Sequence, residues 1–340
     1  MLARPGRAVL RAAARPAIGR LSSAAAANAA MEPDSDLFNP SPEHRALREL
    51  AAQFTRDEVE PQALDYNRDE RFNLPLFRRA GELGLLGVTV DPEFGGAGMD
   101  AAAACIVHEE LSASDPAFCL SYLAHSQLFV NNLARNGSDA QRARYLPPAC
   151  TGEAIGGMCM SEPHVGTDVL GMKTVAKKQA RGANLPVQPP GAVAPSRSGA
   201  PPASPRDACR SRRAQADGSY SLTGQKMWIT NGAVSDGELG DSFLVYARTG
   251  GPDVKPSKAI SLFLVEKGMA GFELGQRLKD KCGMRASMTA ELVFDNVHVP
   301  AENLVGAEGG ATVRASFHDL VASTPFLCRV EWAPPCGRCA

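Results

Sequence analysis

The residues best suited to chemistry stand in two short segments, MCMSEPHVGTD at Met158–Asp168 and KMWITNG at Lys226–Gly232. Together they mix small, hydroxyl and amide residues with one large aromatic, Trp228. That is the chemistry needed to grip a flat, polar-edged ring and a pyrophosphate. Ser161 and the backbone of Met158, Cys159 and Met160 suit hydrogen bonds to the polar edge of such a ring. Trp228 suits stacking on its face, worth about 0.5–1.5 kcal/mol beyond burial. Thr230 can set a hydroxyl at a ring nitrogen, and Gly166-Thr167 lets backbone approach a phosphate closely. Composition alone favours Trp228 as a core residue and Ser161-Glu162-Pro163 as a turn.

These segments need elements to position them. Ser41-Pro42 supplies a helix N-cap followed by proline at the first helical position. Leu47, Leu50, Ala51 and Phe54 then fall on one helical face. Ile106–Ser112 and Leu120–Arg135 also read as helices, the second stopped by Asn136-Gly137, and Asp139–Leu146 is a shorter one ended by Pro147-Pro148. Residues 37–150 are therefore expected to form an all-helical domain. Within it, Gly96-Ala97-Gly98-Met99-Asp100-Ala101 follows Val88-Thr89-Val90 and nominally fits a dinucleotide-binding glycine pattern. No acidic residue stands at the right distance and no strand–helix alternation surrounds it, so it reads as a connecting loop.

From about Ala154 the period changes. Ser242–Ala247, Ala259–Val265 and Glu291–Val299 are short Val-, Leu-, Ile- and Phe-rich runs punctuated by turn residues, which is strand behaviour. Tyr220 and Leu222 alternate with polar residues ahead of Trp228. Residues 154–310 are expected to form an antiparallel sandwich or barrel. The fold class is thus α+β multidomain, an all-α domain followed by a β-barrel or sandwich middle domain, rather than an alternating α/β fold.

Three stretches differ in composition. Met1–Ala30 carries Arg4, Arg7, Arg11, Arg15 and Arg20, many alanines and no acidic residue, as a mitochondrial transit peptide does. Gln179–Ala216 has seven prolines, six arginines, one acidic residue and no aromatic, and reads as a disordered insert in the β domain. It is either a basic docking arm, a surface loop or a misassigned coding segment. Lys178 and Asp217 can then adjoin in one hairpin with the insert looped out. Residues 311–340 form an atypical tail.

The whole chain bounds the function further. Its 340 residues are 44% hydrophobic with a formal net charge of -1, which gives no global electrostatic case for nucleic acid or an anionic membrane. No apolar run reaches the ~18 residues of a membrane span. The nine cysteines are scattered and read as reduced thiols, and the single Cys336-x-x-Cys339 pair makes no zinc site.

MCMSEPHVGTD followed by KMWITNG resembles the flavin-binding middle domain of the acyl-CoA dehydrogenases. LGLLGVTVDPEFGGAGM at Leu83–Met99, LSYLAHSQLFVNNLARNGSDAQRARYLP at Leu120–Pro147 and GMRASMTAELVFDNVHVPAENLVG at Gly283–Gly306 extend the resemblance. The second and third of these blocks look most similar to the branch that oxidises isovaleryl-CoA in leucine breakdown. The resemblance implies an FAD enzyme of the mitochondrial matrix. It would oxidise an acyl-CoA to its 2,3-enoyl form, hand electrons to electron-transferring flavoprotein and assemble as a homo-oligomer. It places Met158, Cys159, Met160, Ser161, Glu162, Gly166, Thr167, Trp228, Ile229 and Thr230 at FAD, and Thr167, Ser257 and Lys258 at the CoA portion.

Two departures accompany it. Val165 stands where the family has a small residue, and its branched side chain is expected to narrow the approach to the cofactor. Beyond Gly310 the expected long amphipathic helices are absent, and with them the catalytic glutamate, much of the acyl pocket and the oligomer interface. Glu308 and Glu331 read as loop or surface carboxylates, so no catalytic base is assigned. Three readings follow: an active dehydrogenase whose sequence is interrupted and truncated, a non-catalytic flavin-fold fragment, or an FAD-dependent acyl-CoA oxidase. Loss of the helical domain predicts poor FAD retention and exposed apolar surface.

Overall fold

The computed structural model describes residues 39–179, 218–251 and 253–311. The leader at 1–30, all but the first residue of the segment at 179–216, and nearly all of the tail lie outside them.

The first helix, α1 (Pro42–Phe54), starts as its sequence dictates. Ser41 Oγ accepts the His44 backbone N–H, and Pro42 occupies the first turn, where a missing N–H costs nothing. Of the expected apolar face, Ala51 and Phe54 are buried and Leu47 packs on the core, while Leu50 is exposed. The chain continues through α2 (Glu60–Asp69), α3 (Leu74–Glu82) and α4 (Ala101–Ser114). The glycine-rich stretch is the predicted loop. It folds back on the preceding segment, with Ala97 N–H on Gly87 C=O and Gly98 N–H on Val90 C=O.

The long helix expected over Leu120–Arg135 is α5 (Pro116–Leu123), a π-helical stretch (Ala124–Asn131) and α6 (Asn132–Asn136) in unbroken succession. Its π-helical part is buried nearly all round, as befits a helix running through the interior. The last α-helix among the described residues, α7 (Asp139–Cys150), corrects an expectation: it runs through Pro147-Pro148 instead of ending before them. Each proline removes one intrahelical N–H. Burial of Tyr145, Leu146, Ala149 and Cys150 against the core offsets that loss, and a Ser138–Gln141 capping box secures the start.

The β region is one eight-stranded sheet plus a two-stranded hairpin. Its strands are β1 (Gly156–Cys159), β2 (Val175–Lys178), β3 (Tyr220–Thr230), β6 (Ser242–Arg248), β7 (Ile260–Glu266), β8 (Phe272–Arg277), β9 (Thr289–Val299) and β10 (Leu304–Val305), and the hairpin is β4 (Ala233–Ser235) with β5 (Glu238–Leu239). The spatial order is β10-β7-β6-β2-β3-β9-β8, with β1 also on β6. The expected all-antiparallel arrangement is corrected, because β1 and β2 both pair with β6 in parallel. The apolar run Phe243–Ala247 is buried at every position, as a strand covered on both faces requires.

Lys178 pairs with Tyr220, and the Gln179 N–H donates to Ser219 C=O at 2.8 Å. The two flanks of the Pro- and Arg-rich segment therefore meet in one antiparallel hairpin. Lys178 Nζ and the Tyr220 hydroxyl both bind Glu308, at 2.8 and 2.9 Å, which ties the last described residues to the hairpin.

Helices and sheet share their cores. Phe129, Leu146, Leu244 and Leu264 belong to one cluster, and Phe77, Ile155 and Ala290 to another. At the seam, a Cβ on the buried Gly156 would collide with the Phe129 ring. Gly156→Ala is expected to destabilise the fold by about 1–3 kcal/mol through overpacking. Urea denaturation monitored by circular dichroism checks this, and an unchanged midpoint would contradict it.

Candidate functional site

The edge of β6 is occupied first by β1 and then by β2, and the chain between them, Met160–Thr174, leaves the sheet as a loop. This loop carries most of the first motif. Strand β3 passes beside it, and its far end carries the second. Two hydrogen bonds to main-chain carbonyls help hold the motifs together: Met227 N–H donates to Ser161 C=O at 3.0 Å, and Lys226 Nζ donates to Met160 C=O at 3.0 Å.

Strand β3 is bulged where it matters. Lys226 pairs with Leu292 and Ile229 with Ala290, so Met227 and Trp228 together face one residue of β9. The extra residue breaks the strict in–out alternation. Lys226 and Ile229 both point inward, and Trp228 is left 53% exposed with φ +61°. For a bulky L-residue this left-handed backbone is costly, of order 1–3 kcal/mol. Trp228 is therefore not a core residue, which corrects the reading that composition alone favours.

Beneath the motifs lies a buried ion pair. Lys226 Nζ is 3.0 Å from Glu162 Oε1, with 0% and 5% of the two side chains exposed. Glu162 Oε1 also accepts the Thr174 N–H at 3.0 Å and Oε2 the Lys173 N–H at 2.7 Å. Burial works against the charge on Glu162, yet Lys226 and these donors hold its carboxyl below the usual range. Burial likewise pulls the Lys226 ammonium below its ordinary value.

The candidate residues separate accordingly. Met158, Met160, Ser161 and Thr230 are half-buried, and Gly166, Thr167 and Trp228 are exposed. Among the described residues, no partner takes up the hydroxyls of Ser161, Thr167 or Thr230. Cys159 and Ile229 turn their side chains into the core and can offer only backbone. Burial pushes the Cys159 thiol far up, so it supplies no thiolate. Glu162 offers a ligand nothing from its carboxylate, which is committed to Lys226 and two amides.

Val165 corrects another expectation. Its side chain is buried beside Met172 in the core and does not project toward the open side of the turn. A Cβ on Gly166 would meet nothing within 4 Å, so the backbone there is open to a close-approaching group. Ser257 and Lys258 stand on the turn Pro256–Lys258, which packs against the turn Val169–Gly171 next to Thr167. Arg248 braces that turn, donating to Leu170 C=O at 2.7 Å.

Sequence reasoning quoted Lys226 within its motif but gave it no role. The available signal was parity: Lys226 shares the inward face of Tyr220 and Leu222, and an inward lysine demands a carboxylate. Glu308 is bound by Lys178 and Tyr220 rather than standing over the motifs. Among the described residues, no group of three or more His, Cys, Asp or Glu could hold a metal ion, and no helix is long and apolar enough to cross a membrane.

The donor set fits a dinucleotide with a flat aromatic head: an exposed indole, three free hydroxyls, an open glycine turn and a lysine beyond it. Comparison with known proteins agrees in kind. The family described as "Acyl-CoA dehydrogenase, N-terminal domain" matches residues 41–153, and "Acyl-CoA dehydrogenase, middle domain" matches 198–297. The mitochondrial isovaleryl-CoA dehydrogenase of Pongo abelii is 38% identical over 292 residues, covering 85% of this chain and 59% of that protein. Its counterpart from Arabidopsis thaliana is 38% identical, with 81% and 57% covered. An acyl-CoA dehydrogenase of Bacillus anthracis, solved in complex with FAD, superposes with a TM-score of 0.65 at 30% identity, over 83% of this chain and 40% of that one. The chain thus spans less than two thirds of the length of each.

Proposed function

Because the chain belongs to the acyl-CoA dehydrogenase family, we propose that it is an FAD-dependent oxidoreductase taking a short branched acyl-CoA, isovaleryl-CoA first among them. The observation that carries this reading is Trp228, an indole held half-exposed in a strained backbone beside unpartnered hydroxyls. Bound FAD would supply the hydride acceptor for oxidation of the acyl chain between Cα and Cβ. The chain's own part is to seat it. Trp228 would cover one face of the ring, Ser161 and Thr230 would hydrogen-bond its polar atoms, and the Gly166-Thr167 backbone would approach the pyrophosphate.

Thr167, Ser257 and Lys258 would receive the CoA portion, where a cation beside phosphate is favoured. The named relatives' mitochondrial location and the Arg-rich leader together support the matrix as the site of action. Electron-transferring flavoprotein is the acceptor this reading implies, and a homo-oligomer the assembly.

The test is titration of the 340-residue chain with FAD, followed by tryptophan emission. Saturable quenching is expected, and it should vanish in Trp228→Phe, since the chain has only two tryptophans. Bleaching of the loaded protein by isovaleryl-CoA under exclusion of air would show that the chain also supplies a base, and flavin retained without bleaching would make it the non-catalytic flavin-fold fragment. Folded protein that neither quenches nor retains flavin would overturn the proposal. Rapid reoxidation by air would move the reading to an oxidase.

A further inference from the structure

We infer that Glu162 and Lys226 form a positioning pair: without touching the bound nucleotide, they set the distance between the Gly166-Thr167 turn and Trp228, and so govern capture of the cofactor. This rests on the flavin reading above.

One carboxylate closes the whole loop. Glu162 stands at its start, and Lys173 and Thr174 at its end donate their N–H groups to the two oxygens of that side chain. A pair of backbone hydrogen bonds between Glu162 and Val165, at 2.9 and 3.0 Å, narrows the first turn. Gly166 and Thr167 project just beyond it. The loop's position therefore depends on where the Glu162 carboxylate is held, and Lys226 holds it.

Lys226 in turn sits at the root of the bulge, two residues before Trp228. Its ammonium reaches back to the Met160 carbonyl as well as to Glu162. One buried ammonium thus contacts both strand exits: the start of the phosphate-side turn and the base of the aromatic wall. An apolar pair of similar volume would often be as stable as a buried ion pair, or more so. It would leave the amides of Lys173 and Thr174 and the carbonyl of Met160 without these partners. What the charges add is a fixed geometry.

The experiment separates geometry from stability in the full chain. Lys226→Met alone strands the Glu162 charge and should lower the melting temperature. The double variant Glu162→Leu/Lys226→Met removes both charges but leaves the Lys173 and Thr174 amides and the Met160 carbonyl unpaired, so it too should melt below wild type, and binding is compared at a temperature where both proteins are folded. The double variant's affinity for FAD should fall about tenfold or more. Without cofactor, its Lys173 and Thr174 amides should exchange at least about tenfold faster, and acrylamide quenching of Trp228 should change. A double variant that binds FAD like wild type, with unchanged amide exchange, overturns the inference. If the double variant fails to fold, Glu162→Gln, which keeps shape and removes charge, is read in the same way. Should wild type itself not bind FAD, the flavin reading falls, and amide exchange with Trp228 quenching in the apo chain still decides the positioning claim.

Discussion

Replacing Trp228 by alanine is expected to weaken FAD binding by about 30- to 150-fold, or about 2–3 kcal/mol. The indole is half-exposed, so the protein gains little from it until a ligand covers it. Covering that surface and stacking on a second ring together account for the loss. Folding stability should change little, because the side chain contributes little packing and alanine retains the same left-handed strain. Trp228→Gly should instead stabilise the backbone by a few tenths of a kcal/mol to about 1 kcal/mol, since glycine accepts positive φ without penalty. Isothermal titration with FAD and urea unfolding of the three proteins separate the two effects. Equal affinity in wild type and Trp228→Ala would mean that the exposed indole serves another surface.

The second large effect is at His125, fully buried where the π-helical stretch meets β1. Gly156 N–H donates to Nδ1 at 2.9 Å, and Nε2 donates to Ala149 C=O at 2.9 Å, so the ring is a neutral imidazole with both nitrogens used. Phe77 and Phe129 pack against it. His125→Leu fills the space and leaves the buried Gly156 N–H unpaired, while the Ala149 C=O keeps the Gly152 N–H. A loss of about 1–3 kcal/mol is expected.

The same residue gives the protein an acid limit. Burial lowers the His125 pKa to about 4 from an ordinary 6.5, with the Ala149 carbonyl opposing the shift only in part. Between pH 6.5 and 4 the unfolded chain binds a proton that the folded chain refuses, so stability falls as pH is lowered. The contribution is fully present above pH 6.5, and on the order of 3 kcal/mol is lost by pH 4. His108, also held low by burial, acts in the same direction. Wild type and His125→Leu should therefore converge in stability as the pH drops from 7 to 4. Parallel curves would show that His125 does not titrate as argued.

What could be read in advance was what is local. Ser41 and Pro42 make a helix start by themselves, and Phe243–Ala247 announces a buried strand by composition. The two motifs were legible because hydroxyls, glycine and one tryptophan form an unusual mixture. Four features were not legible, and each depends on residues distant in the chain. Helix α7 survives two prolines because of the core beneath it. The sheet is mixed because β1 pairs with β6, more than eighty positions later. Val165 points inward because Met172 and its neighbours offer it a place. Lys226 finds its role only when Glu162, sixty-four positions earlier, is brought beneath it.

Strand β3 treats chain length in two opposite ways. Around Trp228 a slip of a single residue would turn Met227 inward in place of Lys226. At its other end, Gln179 and Ser219 already stand a hydrogen bond apart, so the pairing there is made by residues on either side of the intervening sequence. In general a connection of 39 residues, the number between those two, costs only about 2–3 kcal/mol more to close than one of two residues. That hairpin mouth is thus a natural splice point. The sheet would assemble on the same pairings around a tight turn, the present segment or a grafted domain whose ends lie close together, and the machinery at Trp228 would not register the exchange.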